Sequence, residues 1–296
     1  MKLLKILPAL FFFMLLPPAA QAAPQRIVSL TPVGTEILFA LGQGDSLIGV
    51  TKYCDYPPEA LEKPKVGGYA EVNFETLLSR QADLLVLQDM HMQFKNELEK
   101  LKIPYLVVRQ ESVKDITDSI AALGRICGAD EKAAELNARI DAAVERAVKR
   151  VSGLKRPAVL LCVSRELSEP QITTFYAAGT KSFYNELISL AGGKNVITDK
   201  RQSYPKISQE GMLALAPDVI IDLVGERTFY HAMDNIDLDK VFDKEYLKGQ
   251  WMSGVKVPAV RGGRVSIIDG TLYLRPGPRL PEIIDAFIAA IHPEIR

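Results

Sequence analysis

The chain of 296 residues is poor in the side chains that carry most metal and redox chemistry, with three histidines, three cysteines and one tryptophan. His91, His231 and His292 are far apart in sequence, and none is spaced with another as a metal-ligating pair. Cys54, Cys127 and Cys162 form no metal motif and give no basis for assigning a disulfide; Cys127 and Cys162 fall in apolar runs, as packing residues do, and Cys54 in a loop. An excess of either charge is also lacking. Lys+Arg and Asp+Glu both number 36, so the balance points neither to nucleic acid nor to an anionic membrane surface. Catalytic signatures are missing: there is no G-x-G-x-x-G, P-loop, G-x-S-x-G or H-E-x-x-H. The turn "SLTPVGTE" carries one glycine, too little for a nucleotide site. These absences argue against an enzyme; a chelatase or oxidoreductase on paired α/β lobes is the remote alternative.

What is present is a globular composition, 48% hydrophobic and 24% charged, enough for one large core or two of ordinary size. Lys2 and Lys5 precede the apolar run "ILPALFFFMLL", and Ala20-Gln21-Ala22 follows as a small-x-small cleavage site. Residues 1–22 therefore read as a secretory signal peptide. A membrane anchor is the rival, but the run is shorter than the roughly 20 residues a span needs, and Pro8, Pro17 and Pro18 interrupt it. The mature chain is expected in the periplasm, as a soluble monomer.

Strand-like runs "RIVSL", "SLIGVT", "DLLVLQ", "PYLVV", "AVLLCV", "DVIID" and "RVSIID" alternate with helix-like segments such as "TEILFALG", "FETLLSR" and "KNELEKLK". That alternation predicts α/β lobes with largely parallel sheets. The middle contains no strand run, and residues 130–152 carry Ala133, Leu136, Ile140, Ala143, Val144, Ala147 and Val151 on one stripe of a long helix. The expected organisation is an N-terminal lobe over 23–113, a helical linker over 114–154 and a C-terminal lobe over 155–296.

The two halves echo each other. "YAEVNFETLLSRQADLLVL" and "YPKISQEGMLALAPDVIID" superpose at an offset of 135, matching Tyr69 with Tyr204, Glu75 with Glu210, Leu78 with Leu213 and Asp83 with Asp218. Asn73 and Ser208 read as N-caps, which puts Glu75 and Glu210 at the second helical position, where a carboxylate also suits the helix dipole. One exposed carboxylate per lobe makes a two-pronged docking surface. Tyr53, Tyr69, Tyr176, Tyr204 and Tyr273 fall in loops or at strand ends, where they could stack on a planar ligand; Tyr56, held in "DYPP", reads as a packing residue. In "YLRPGPR", Arg275 has either a ligand or a surface acid as partner, and Arg279 a structural one.

The segments "RIVSLTPVGTEILFALGQGDSLIGVTKYCDYPPEA" and "KVGGYAEVNFETLLSRQADLLVL" resemble the N-terminal lobe of periplasmic solute-binding proteins for cobalamin and ferric siderophores, which feed ABC importers. "YAAGTKSFYNELISLAGGKNVITDK", "YPKISQEGMLALAPDVIID" and "VRGGRVSIID" continue the likeness over nearly the whole mature chain. The resemblance implies two Rossmann-like lobes joined by one long helix, a ligand held between them, limited lobe closure and no chemistry. It also implies that Glu75 and Glu210 meet arginines of the permease. The cobalamin-binding branch is the most similar, so Tyr53, Tyr69, Tyr176, Tyr204 and Arg275 become the expected ligand contacts and a corrinoid the expected cargo. A ferric siderophore or haem is the alternative, although only Arg275, Lys52 and Lys181 offer positive charge for an anionic chelate. In that branch tryptophan is often found at Tyr69 and Tyr204, an acid at Thr271 and an aromatic at Gln88.

Overall fold

The computed structural model describes residues 23–68, 72–167, 169–225 and 242–295; the expected signal peptide and Tyr69 lie outside them. Among the described residues no helix is long and apolar enough to cross a membrane. All seven strand-like runs form strands. In the first half these are β1 (Ile27–Ser29), β2 (Leu47–Val50), β3 (Leu84–Leu87) and β4 (Tyr105–Val107), with helices α1 (Pro32–Ala40), α2 (Phe74–Ser79) and α3 (Lys95–Leu101) between them. The strands lie in the order β2-β1-β3-β4, all parallel. Every residue of β3 is buried, as a strand covered on both faces must be.

Two helices follow, α4 (Val113–Ile126) and α5 (Asp130–Val151). At 22 residues, α5 is about 33 Å long. Its expected stripe faces inward: Ala133, Leu136, Ile140, Ala143 and Ala147 are buried, with Val144 and Val151 packed partly buried beside them.

The second half contains β5 (Ala158–Arg165), β6 (Thr174–Ala177), α6 (Phe183–Leu190), β7 (Lys194–Asn195), β8 (Lys206–Ser208), α7 (Gln209–Leu215) and β9 (Val219–Val224). After residue 241 come α8 (Lys244–Ser253), α9 (Pro258–Arg261), β10 (Val265–Asp269) and α10 (Leu280–Ile291). The sheet order is β10-β9-β5-β6-β8, with β7 paired to the start of β5. Here the expectation of largely parallel pairing is only half met, because β6 and β8 run antiparallel to their neighbours. One hydrophobic cluster continues from sheet to sheet through the helices, with Ile37, Ile120, Ile140, Ile188 and Ile284 all at 1% exposure or less.

The internal repeat is structural. The Asn73 side chain accepts from the Thr76 N–H at 2.9 Å and the Ser208 hydroxyl from the Gly211 N–H at 3.2 Å, so both are the N-caps expected. Gln81 and Ala216, also 135 residues apart, both turn left-handed just beyond their helices, with φ of 53° and 43°. The single glycine of "SLTPVGTE" has a packing role instead. A Cβ on Gly34 would stand 2.5 Å from Val86 Cγ1, so glycine lets α1 settle against β3.

Candidate functional site

In a parallel sheet with helical crossovers, the carboxyl ends of the strands open onto turns that side chains of neither layer fill, and ligands settle there. Both sheets present those ends to one cleft. From the first half its lining takes Pro32 and Val33 after β1, Tyr53 after β2, Gln88 after β3 and Gln110 beyond β4. From the second it takes Val163 and Ser164 on the last turns of β5, Gly225 after β9, and Thr271, Leu274 and Arg275 beyond β10. The described residues enclose about 480 Å³, within the range of a small-molecule site.

The cleft is apolar where Pro32, Val33, Val163 and Leu274 line it, and its polar groups are mostly uncharged. The one guanidinium among its described lining residues is already engaged, since Arg275 Nη1 donates to Asp55 Oδ1 across the two halves of the chain. A second bridge lies four residues on. Arg279 Nε and Nη2 donate to the two Glu36 carboxylate oxygens at 2.9 and 2.7 Å, and its guanidinium stacks 3.6 Å from the centre of the Tyr56 ring. Burial pushes the Glu36 carboxyl above its usual range, against the opposing pull of Arg279. The rigid "RPGPR" segment thus supplies two arginines that tie α10 and its approach to the first half, and the structural partner expected for Arg279 is Glu36.

The expected contact residues divide. Tyr53 and Arg275 line the cleft. Tyr176 lies on β6, opposite Lys206 of β8, and is 45% exposed. Tyr204 precedes β8 and is similarly exposed. Neither tyrosine is among the described lining of the cleft. Tyr204 is nevertheless a near neighbour of Tyr184, whose hydroxyl donates to the Tyr273 carbonyl at 2.9 Å. Burial suppresses the ionisation of that hydroxyl, and Tyr204 adds to the same upward shift. Tyr69 falls outside the described residues.

Sequence reasoning missed Gln110, Ser164 and the Pro32-Val33 pair as lining residues. The signal was available: each lies on or just past the carboxyl end of a strand-like run. Of the lysines considered for an anionic cargo, Lys52 sits over the Tyr53 ring at 5.2 Å, and neither it nor Lys181 lines the cleft. Among the described residues no group of three or more His, Cys, Asp and Glu converges as a metal site.

Away from the cleft, Glu75 and Glu210 are exposed in the first turns of α2 and α7. A hydrogen bond from the Ser208 hydroxyl holds the Glu210 carboxyl below its usual range, so it is ionised even in mildly acidic surroundings. Beside each glutamate, one turn on, stands an exposed leucine: Leu78 at 56% and Leu213 at 54%.

Relatives of this chain share both its length and its layout. It is 30% identical to a vitamin B12-binding protein of Vibrio parahaemolyticus over 86% of this chain and 85% of that one. It is 29% identical to an uncharacterised ABC transporter substrate-binding lipoprotein of Bacillus subtilis over 92% of this chain and 81% of the relative. A periplasmic haem-binding protein of Pseudomonas aeruginosa has the same fold, with a TM-score of 0.74 at 23% identity, covering 92% of this chain and 94% of the other. Residues 27–270 match the periplasmic binding protein family across both sheets and the helix between them, and the chain belongs to that family.

Proposed function

We propose that the protein is the substrate-binding component of an ABC importer, that it captures a corrinoid in the cleft between its sheets, and that it delivers this cargo to the membrane permease. The observation that carries the cargo is the electrostatic state of the cleft. Haem and ferric siderophores present carboxylates or other anionic groups, and holding those in a partly desolvated site requires uncommitted positive charge. The described lining offers one guanidinium, and Asp55 neutralises it. A corrinoid is rimmed mainly by uncharged amides and has broad apolar faces, which suits apolar walls interrupted by glutamine, serine and threonine. The vitamin B12-binding relatives support the same cargo.

Tyr53 favours a second reading, because a phenol in the cleft could ligate haem iron. Tyr176 and Tyr204 are assigned as aromatic contacts at the edge of the site, and Tyr69, outside the described residues, as a further aromatic contact of the cargo. Glu75 and Glu210 are assigned to the permease, with basic side chains as their partners. Calorimetric titration of residues 23–296 with cyanocobalamin, haem and a ferric siderophore tests the cargo. Tight single-site binding of cyanocobalamin is expected. Binding of haem alone, with its iron ligand lost in Tyr53→Phe, would transfer the site to the second reading.

A further inference from the structure

Two glutamine side chains in the cleft are left with unsatisfied acceptors. Gln88 Oε1 and Gln110 Oε1 are both shielded from solvent and have no hydrogen-bond partner, and both residues line the same cavity. Gln88 is buried, at 7% exposure. The corner is built as a capping box, in which the His91 N–H faces the Gln88 side chain while making its 2.9 Å hydrogen bond to the Gln88 main-chain oxygen, and the Gln88 N–H donates to His91 Nδ1 at 3.0 Å. The main chain at this corner is therefore satisfied and the side-chain oxygen is not.

Buried polar atoms without partners are rare because each loses its hydration and gains nothing in return. Two in one cavity, beyond the ends of the paired strands β3 and β4, describe a surface completed by something that donates. We infer that Gln88 and Gln110 are specificity-determining acceptors, receiving N–H donors from the periphery of the cargo and so favouring a chelate rimmed by primary amides over one rimmed by carboxylates. The inference rests on the reading of the cleft as a corrinoid site. A carboxylate brought to either oxygen would set acceptor against acceptor, and Arg275, already held by Asp55, gives no uncommitted charge to offset it.

The test compares cyanocobalamin with corrinoid monocarboxylic acids in which one peripheral amide has been hydrolysed, titrated against the mature protein and the variants Gln88→Leu, Gln110→Leu and Gln88→Glu. The wild type is expected to bind at least one acid isomer about tenfold more weakly than the amide. Each leucine variant should bind cyanocobalamin about tenfold more weakly than wild type and lose part of the amide preference. Gln88→Glu retains an acceptor whichever way the amide is turned and should keep or widen the preference. Because leucine removes an unsatisfied buried atom, the free leucine variants should melt no lower than wild type, whereas a structural role predicts a lower melting temperature. Unchanged affinity and preference in both leucine variants, or an effect confined to one of them, would overturn the glutamine pair while leaving the corrinoid reading intact. A wild-type protein that binds no corrinoid overturns both.

Discussion

Asp83 and Asp218, 135 residues apart, clamp the first strand of their respective sheets in the same way. Asp83 accepts from the Gln25 and Arg26 N–H groups at 2.9 and 3.0 Å, and its own N–H donates to the Arg26 carbonyl at 2.9 Å. Asp218 accepts from the Ala158 N–H at 2.9 Å and donates to the Ala158 carbonyl at 2.8 Å. Each aspartate therefore fixes where a central strand begins. Replacing either by alanine should destabilise the protein by about 1–2 kcal/mol, less for the more exposed Asp83. Urea denaturation should show a lower midpoint at an unchanged slope; a changed slope would mean that the lobes no longer unfold together.

The paired helices α2 and α7 carry a second consequence of the repeat. Glu75 with Leu78, and Glu210 with Leu213, present a carboxylate and an exposed leucine at equivalent places in the two halves. Exposed ion pairs are worth about 1 kcal/mol or less, so in the proposed docking the glutamates would set orientation and the leucines would supply burial. Changing both glutamates to alanine should abolish most uptake while leaving cargo affinity unaltered. Changing both leucines to serine should weaken binding to the reconstituted permease about tenfold or more. Full uptake by the double glutamate variant would remove the docking assignment.

Much of this architecture was legible in the sequence because parallel strands covered on both faces must be continuous apolar runs, as in "DLLVL" and "DVIID". The long helix was legible for the same reason, from its stripe of Ala133, Leu136, Ile140 and Ala147. What escaped was short or two-sided. β6 and β8 are an antiparallel pair of four and three residues, with Tyr176 and Lys206 exposed, so neither makes an apolar run. In the site, the pattern left Arg275 with either a ligand or an acid as partner, and one-dimensional pattern cannot show that the acid is Asp55, 220 positions away. The positions of Gln88 and Gln110 just past strand-like runs could be read from the sequence, but not their unpaired oxygens, which exist only once the strand ends come together.

Cysteine chemistry follows from burial. Cys54, Cys127 and Cys162 are all free and at most 4% exposed. Desolvation pushes each thiol up, Cys127 from 9.0 to about 11. The native protein should resist a thiol-specific disulfide reagent at pH 8 and react at three sites only after unfolding. The Cys127 contribution to stability is complete below the unfolded value and is lost as pH rises from 9.0 to about 11, because the unfolded chain ionises first. Rapid labelling of one cysteine in the native state would locate an opening of the adjacent core.

The bridge between Glu36 and Arg279 should be the most sensitive polar contact between the two halves. Glu36 is 3% exposed at its side chain and Arg279 19%, so neither can be rehydrated cheaply when its partner is removed. Glu36→Ala should therefore cost about 3–5 kcal/mol, whereas a double change to leucine and methionine should cost far less, since it removes both charges together. The pH dependence has a definite sign. Burial holds the Glu36 carboxyl above 4.5, so over the range just above that value the native state keeps a proton the unfolded chain has released. Stability from this group is then present at low pH and declines as pH rises through that range. Thermal melts from pH 4 to 7 should show this decline in the wild type and its loss in Glu36→Gln; an identical profile in both would mean that Arg279 outweighs desolvation and keeps the carboxylate ionised throughout.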